Sequence, residues 1–180
     1  MSCLCRNQNE THIRAMNMNL SFEHGKARYG LGEILRPFSE SATVKPCVME
    51  SGMLPYGRLG LMAAEMEKIL LEEKFFLDRQ CTIERLARKM TTNRTYLAEA
   101  VHRLYGIRFR PLVAILRVEY SKSLLVEMPD VNIDQLLTQS GFLYMSQYDR
   151  KFRELNGLTP REWRYMACEA KQKLHENTSD

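Results

Sequence analysis

Thr82-Ile83-Glu84-Arg85-Leu86 and Asn132-Ile133-Asp134-Gln135-Leu136 repeat one pattern at an offset of 50 residues. Each opens on a small polar side chain suited to accept a hydrogen bond from a helix's first free N–H groups, then sets apolar residues three apart on one helical face. After a one-residue adjustment in the intervening turn, Leu97, Val101 and Gly106 reappear as Tyr148, Phe152 and Gly157 at an offset of 51. Both blocks, 82–106 and 132–157, read as a short helix, a tight turn and a second helix closed by glycine, which is the helix-turn-helix plan. A duplicated unit is far more specific than a single one. It sets the fold class as all-α.

The flanking sequence agrees. Upstream, Met62, Met66, Ile69 and Leu70 recur at helical spacing. In the first unit Ile83, Leu86, Ala87 and Met90 face inward, and Thr91-Thr92-Asn93 breaks the helix. Leu97, Ala100, Val101 and Leu104 then form the packing stripe of the next helix. A long central helix is expected from about Arg110 to Glu127 on the stripe Leu112, Leu116, Tyr120 and Leu124, stopped by Met128-Pro129-Asp130. In the second unit Asn132 is the expected cap, and Ile133, Leu136 and Leu137 lie inside up to Ser140-Gly141. Tyr148 and Phe152 carry the packing of a helix from about Met145 to Leu155. Thr159-Pro160-Arg161-Glu162 combines a capping threonine, a first-turn proline and a glutamate three residues beyond the cap, a strong start for a last helix.

Residues 1–59 look different. They hold Gly25, Gly30, Gly32, Gly52 and Gly57 with Pro37, Pro46 and Pro55, and no sustained apolar period, so they read as a mostly irregular N-terminal segment. The helical domain is expected over 60–171, folding without residues 1–58, with 172–180 as a C-terminal tail. The first fourteen residues lack the apolar centre of a secretory signal, and no stretch approaches the ~20 apolar residues of a membrane span. A cytoplasmic location and no membrane partner are the expectation. Cys3, Cys5, Cys47, Cys81 and Cys168 are scattered and form no CxxC pair, so no disulfide framework, metal site or cofactor is expected.

The net charge of +4 permits a polyanionic partner without requiring one. Its distribution says more. Between Arg88 and Arg117 lie Arg88, Lys89, Arg94, Arg103, Arg108, Arg110 and Arg117, opposed only by Glu99. A weaker cluster comprises Arg150, Lys151, Arg153, Arg161 and Arg164. Such density beside helices suits a surface that meets phosphates, and equally a solvated helix face. With the packing stripes turned inward, the first unit's second helix leaves Arg94, Thr95, Ala98, Glu99 and His102 outward. The second unit leaves Ser146, Gln147, Asp149, Arg150 and Arg153.

These motifs resemble the AraC/XylS family of bacterial transcription regulators over about Glu65 to Ala167. The carriers are Ile83-Glu84-Arg85-Leu86-Ala87, Asn93-Arg94-Thr95-Tyr96-Leu97, Tyr105-Gly106, Arg117 to Leu125, Ile133 to Leu137, Gly141-Phe142, and the closing run Tyr148 to Trp163. The resemblance implies two helix-turn-helix subdomains joined by a long central helix, each placing its second helix in a DNA major groove. Base-approaching positions then fall on Thr95, Ala98, Glu99 and His102, and on Ser146, Gln147, Asp149 and Arg150. Arg94, Arg103, Arg108, Arg110 and Arg153 become phosphate candidates. His102 serves equally as a phosphate neighbour, Glu99 as an ion-pair partner of Arg103, and Arg150 as part of an intradomain ion pair. Arg117 reads as a structural residue pairing with an acidic group. Three positions depart from the family pattern: Thr91 stands where the first turn has glycine, Leu137 where the second unit has a small alanine, and Ser121 where the central helix has alanine.

The implied function is sequence-specific transcription regulation, with double-stranded DNA and RNA polymerase as partners and oligomeric state open. The alternative is a helical protein-interaction module that has lost DNA affinity. An enzyme is not expected. A repair methyltransferase built on this domain type needs a tetrathiolate zinc site, and Cys3, Cys5 and Cys47 supply too few ligands before the domain.

Overall fold

A computed structural model of the chain describes residues 58–128 and 130–176, together with Phe22–Glu23, Lys26–Ala27, Leu31 and Ile34. Helix α1 spans Arg58–Glu67 and continues into a wider π-helical turn, Lys68–Glu72, followed by a 3-10 turn at Phe75–Leu77. The first unit is α2, Ile83–Lys89, and α3, Arg94–Tyr105. The central helix α4 covers Phe109–Glu127. The second unit is α5, Ile133–Ser140, and α6, Met145–Asn156, and α7 closes the order at Pro160–Glu176. The offsets expected from the repeat hold at every start: 50 between α2 and α5, 51 between α3 and α6.

Local chemistry accounts for most helix ends. The Thr82 hydroxyl accepts from the Arg85 amide at 3.3 Å, and the Asn93 side chain accepts from the Thr95 amide at 2.8 Å. Asn132 stands at the start of α5, yet its side chain makes no capping bond. Thr159 and Glu162 form the reciprocal box: the Glu162 carboxylate accepts from the Thr159 amide and hydroxyl, each at 2.7 Å, and the Thr159 hydroxyl accepts from the Glu162 amide at 3.3 Å. Gly106, Gly141 and Gly157 close α3, α5 and α6 in the left-handed region. Helix α7 runs to Glu176, past the expected tail boundary at residue 171.

Helix α4 is the axis of the molecule. Helices α3, α5, α6 and α7 all lie against it, while α2 packs on α3. It is buried along most of its length, including polar Glu119, Ser121, Lys122 and Ser123. Lys122 and Glu119 neutralise each other at 2.7 Å, which is how two charged side chains are tolerated there. The Ser121 hydroxyl donates to the Val118 carbonyl and accepts from the fully buried Tyr148 hydroxyl at 3.2 Å, so the serine that departs from the family pattern satisfies a phenol inside the second unit. Phe142, Tyr148, Phe152 and Trp163 stack in series with ring centroids 5.1, 5.6 and 6.3 Å apart.

Two findings refine the sequence expectations. Leu31 and Ile34, from the segment read as irregular, have helical backbone and lie inside the core, and the Leu31 amide donates to the Glu67 carboxylate at 2.8 Å. A two-residue antiparallel pair, β1 at Phe22–Glu23 with β2 at Lys26–Ala27, rests beside α4 and the π turn. The apolar residues of this stretch are too few and too broken by glycine to show a period, so their burial left no pattern to read. The remainder of 1–57, with Cys3, Cys5 and Cys47, lies outside the described residues, as does the side chain of Cys168.

Candidate nucleic-acid interface

The two outer faces come out as the packing stripes require. On α3, Leu97, Ala100, Val101 and Leu104 are buried, whereas Thr95, Ala98, Glu99 and His102 are exposed. On α6, Tyr148 and Phe152 are buried, Ser146, Gln147 and Arg150 are exposed, and Asp149 is half-buried. Arg94, Arg103, Arg108, Arg110 and Arg153 are exposed too. All of these candidates except the half-buried Asp149 are exposed, Arg108 and Arg110 at the start of the central helix and the others on the two helix-turn-helix units.

Several of the charges already have partners. Arg94 Nε meets Glu84 Oε1 across the first turn at 2.8 Å. Arg103 pairs with Glu99 one helical turn away, the less demanding of the two readings of that glutamate. Arg150 Nε stands 3.7 Å from Glu154, which Lys151 approaches more closely. The Glu84 carboxyl is held below the usual carboxylate range, first by its own backbone N–H at the start of α2 and then by Thr82, Arg94 and Arg110. Glu154 is likewise lowered, chiefly by the Lys151 hydrogen bond. The outer face of the first unit thus carries two solvent-exposed ion pairs, each worth little to stability.

The second helix of each unit follows a turn of unusual backbone. Thr91 takes φ 47°, the left-handed region that the departure from glycine made costly. Gly141, the matching residue of the second unit, has φ 77°, and a Cβ there would lie 2.6 Å from the Leu77 carbonyl oxygen. Arg117 fixes the same junction. Its Nε donates to the Phe76 carbonyl at 2.7 Å, its Nη2 donates to the Asp78 carbonyl at 2.8 Å, and its guanidinium lies over the Phe142 ring at 5.8 Å. The residue is structural as expected, but its partners are main-chain carbonyls; the Asp78 carboxylate pairs with Arg85 at 2.7 Å instead. Beside it, burial pushes the Cys81 thiol up to about 11, so this cysteine stays protonated.

Leu143 and Tyr144, two exposed apolar residues just before α6, lie in the turn and outside any packing stripe, so helical periodicity does not single them out. The 50–51-residue offset was the available signal, since it sets them opposite Thr92 and Asn93. Among the described residues no cluster of His, Cys, Asp and Glu could hold a metal, and no helix is long and apolar enough to cross a membrane.

Residues 86–166 match a family described as a helix-turn-helix domain. The TCP pilus virulence regulatory protein of Vibrio cholerae serotype O1 is 30% identical over 101 residues, which is 56% of this chain and 36% of that protein. The chain thus spans about a third of that relative's length. The C-terminal domain of AraT, a response regulator from Geobacillus stearothermophilus, superposes with a TM-score of 0.54 at 21% identity, covering 61% of this chain and 88% of that one. ToxT from Vibrio cholerae gives a TM-score of 0.52 at 23% identity, over 66% of this chain and 40% of that one. At these identities the solved structures speak for the fold alone, and with the family match they identify residues 86–166 as a helix-turn-helix domain with the fold seen in the AraT C-terminal domain and in ToxT.

Proposed function

We propose that the chain is a sequence-specific DNA-binding transcription regulator that lays α3 and α6 in successive major-groove segments of one duplex. The observation that carries this reading is the twin arrangement itself: two units of nearly equal helix lengths on one axis, each burying its apolar face and presenting a polar one. Base reading falls to Thr95, Ala98, Glu99 and His102 in the first unit and to Ser146, Gln147, Asp149 and Arg150 in the second. Arg94, Arg103, Arg108, Arg110 and Arg153 bind phosphates. RNA polymerase is the second partner, and the protein acts by binding, in the cytoplasm, without catalysis or cofactor.

The 19 residues of α4 make it about 28 Å long. Successive major-groove faces recur every ~34–36 Å. The reading helices therefore lean outward or the duplex bends toward them, and a monomer protects two groove segments one turn apart without a palindrome. The test is affinity against salt concentration on duplexes selected from a random library. Each neutralised phosphate adds ~0.9 to the log–log slope. Arg94→Ala should lower that slope by about one such step with little change in sequence preference. Glu84→Gln, which releases Arg94 from its ion pair, should tighten binding to all sequences alike. Absence of binding in low salt, or binding indifferent to salt, overturns the reading. The alternative is then the protein-interaction module, which the Arg94–Glu84 and Arg103–Glu99 pairs favour because they keep two of the five candidate guanidinium groups occupied within the protein.

A further inference from the structure

The two turns that lead into the reading helices are built differently. In the first, Thr92 is half-buried and Asn93 caps α3 through the Thr95 amide. In the second, the same two places hold Leu143 and Tyr144, 53% and 67% exposed, and Tyr144 makes no capping bond with its side chain. Isolated exposed apolar side chains are common on any surface and need no explanation. Here two adjacent ones stand on a turn whose other members are all fixed. The Ser140 hydroxyl donates to the Leu136 carbonyl at 2.6 Å, the Phe142 amide to the Leu137 carbonyl at 3.1 Å, and Gly141 abuts Leu77. Phe142 is buried and Met145 packs against the core. Neither exposed side chain contributes to that framework; it only presents them.

What they are presented to follows from their place. They immediately precede Met145, Ser146 and Gln147 at the N-terminal end of the proposed reading helix, the end that meets base edges. Among the bases, thymine alone offers an apolar group in the major groove, its C5-methyl. We propose that Leu143 and Tyr144 pack against thymine methyl groups at the edge of the second half-site, so that the second unit prefers A·T pairs at the place where the first unit, which holds Thr92 and Asn93 there, does not. This rests on the DNA-binding reading.

The test uses the full chain, a duplex selected from a random library, and the same duplex with deoxyuridine replacing thymidine in the second half-site, which removes only methyl groups. Wild type should bind the uracil duplex roughly fourfold more weakly for each contacted methyl. Leu143→Thr combined with Tyr144→Asn, which installs the first unit's residues at two exposed positions, should bind the two duplexes equally while keeping its helical circular dichroism and its salt slope. Tight wild-type binding that ignores the uracil exchange overturns the thymine contact alone. So does a double variant as sensitive to the exchange as wild type, and such a result leaves the exposed pair facing a protein partner. If wild type binds no duplex, the DNA reading falls and this contact with it.

Discussion

Thr91 and Gly141 hold equivalent places in the two units and share a left-handed backbone, yet only one of them is glycine. For a β-branched residue that conformation costs ~1–2 kcal/mol. Replacing it by glycine returns ~0.4–1 kcal/mol to the unfolded chain's entropy. Thr91→Gly should therefore stabilise the protein by about 0.5–1 kcal/mol in denaturant titration. Gly141→Ala should go the other way and harder, by roughly 2–4 kcal/mol, because backbone strain combines with a collision at the Leu77 carbonyl. Equal effects at the two sites would show that the close approach of Leu77 contributes nothing. Thr91 is exposed and has room for its side chain. That difference in surroundings explains why one unit carries a threonine where the other needs glycine.

Among the elements, the start of α7 gives a pH dependence with a defined sign. The Glu162 carboxyl is held below its ordinary value, first by the Thr159 amide and then by the Thr159 hydroxyl, with Arg153 adding to both. A lowered folded value means that the cap is complete above the ordinary glutamate range and is lost as pH falls through the folded value. In a carboxyl-resolved NMR titration, Glu162 should titrate below the values ordinary for glutamates. Thr159→Ala, which removes the hydroxyl bond and keeps the amide one, should move it part of the way back toward them; an unmoved value would assign the shift to the Thr159 amide and the Arg153 charge. This box was legible in four letters, and so were the helices, whose stripes recur within one or two turns. Long-range packing was not. Ser121 meets Tyr148, and Arg117 meets the carbonyls of Phe76 and Asp78, across separations that no local period reports. The candidate reading faces were legible as complements of the packing stripes. Which of their charges face one another, as Arg94 and Glu84 do across a turn, was not.

For the whole molecule, the core extends beyond the repeated motif. Leu31 is fully buried, and Leu31→Ala should cost ~2–5 kcal/mol, read as a lower denaturation midpoint at unchanged m-value. Small domains have only ~5–15 kcal/mol in total. Removing residues 1–58, which takes Leu31, Ile34 and the Leu31–Glu67 hydrogen bond together, should therefore bring the remaining helices close to unfolding. A truncated chain as stable as the whole would show that Leu31 and Ile34 cover the core without supporting it.

Arg117 and Gly141 together join the 3-10 turn that precedes the first unit, the central helix and the second unit's turn by direct contact. A molecule joined in this way behaves as a pair of callipers set at one opening. On the DNA-binding reading, whatever adjustment is needed between the distance spanned by the reading helices and the pitch of the groove falls on the duplex. Sites then differ in affinity not only by the letters touched but by how readily the untouched base pairs between them bend.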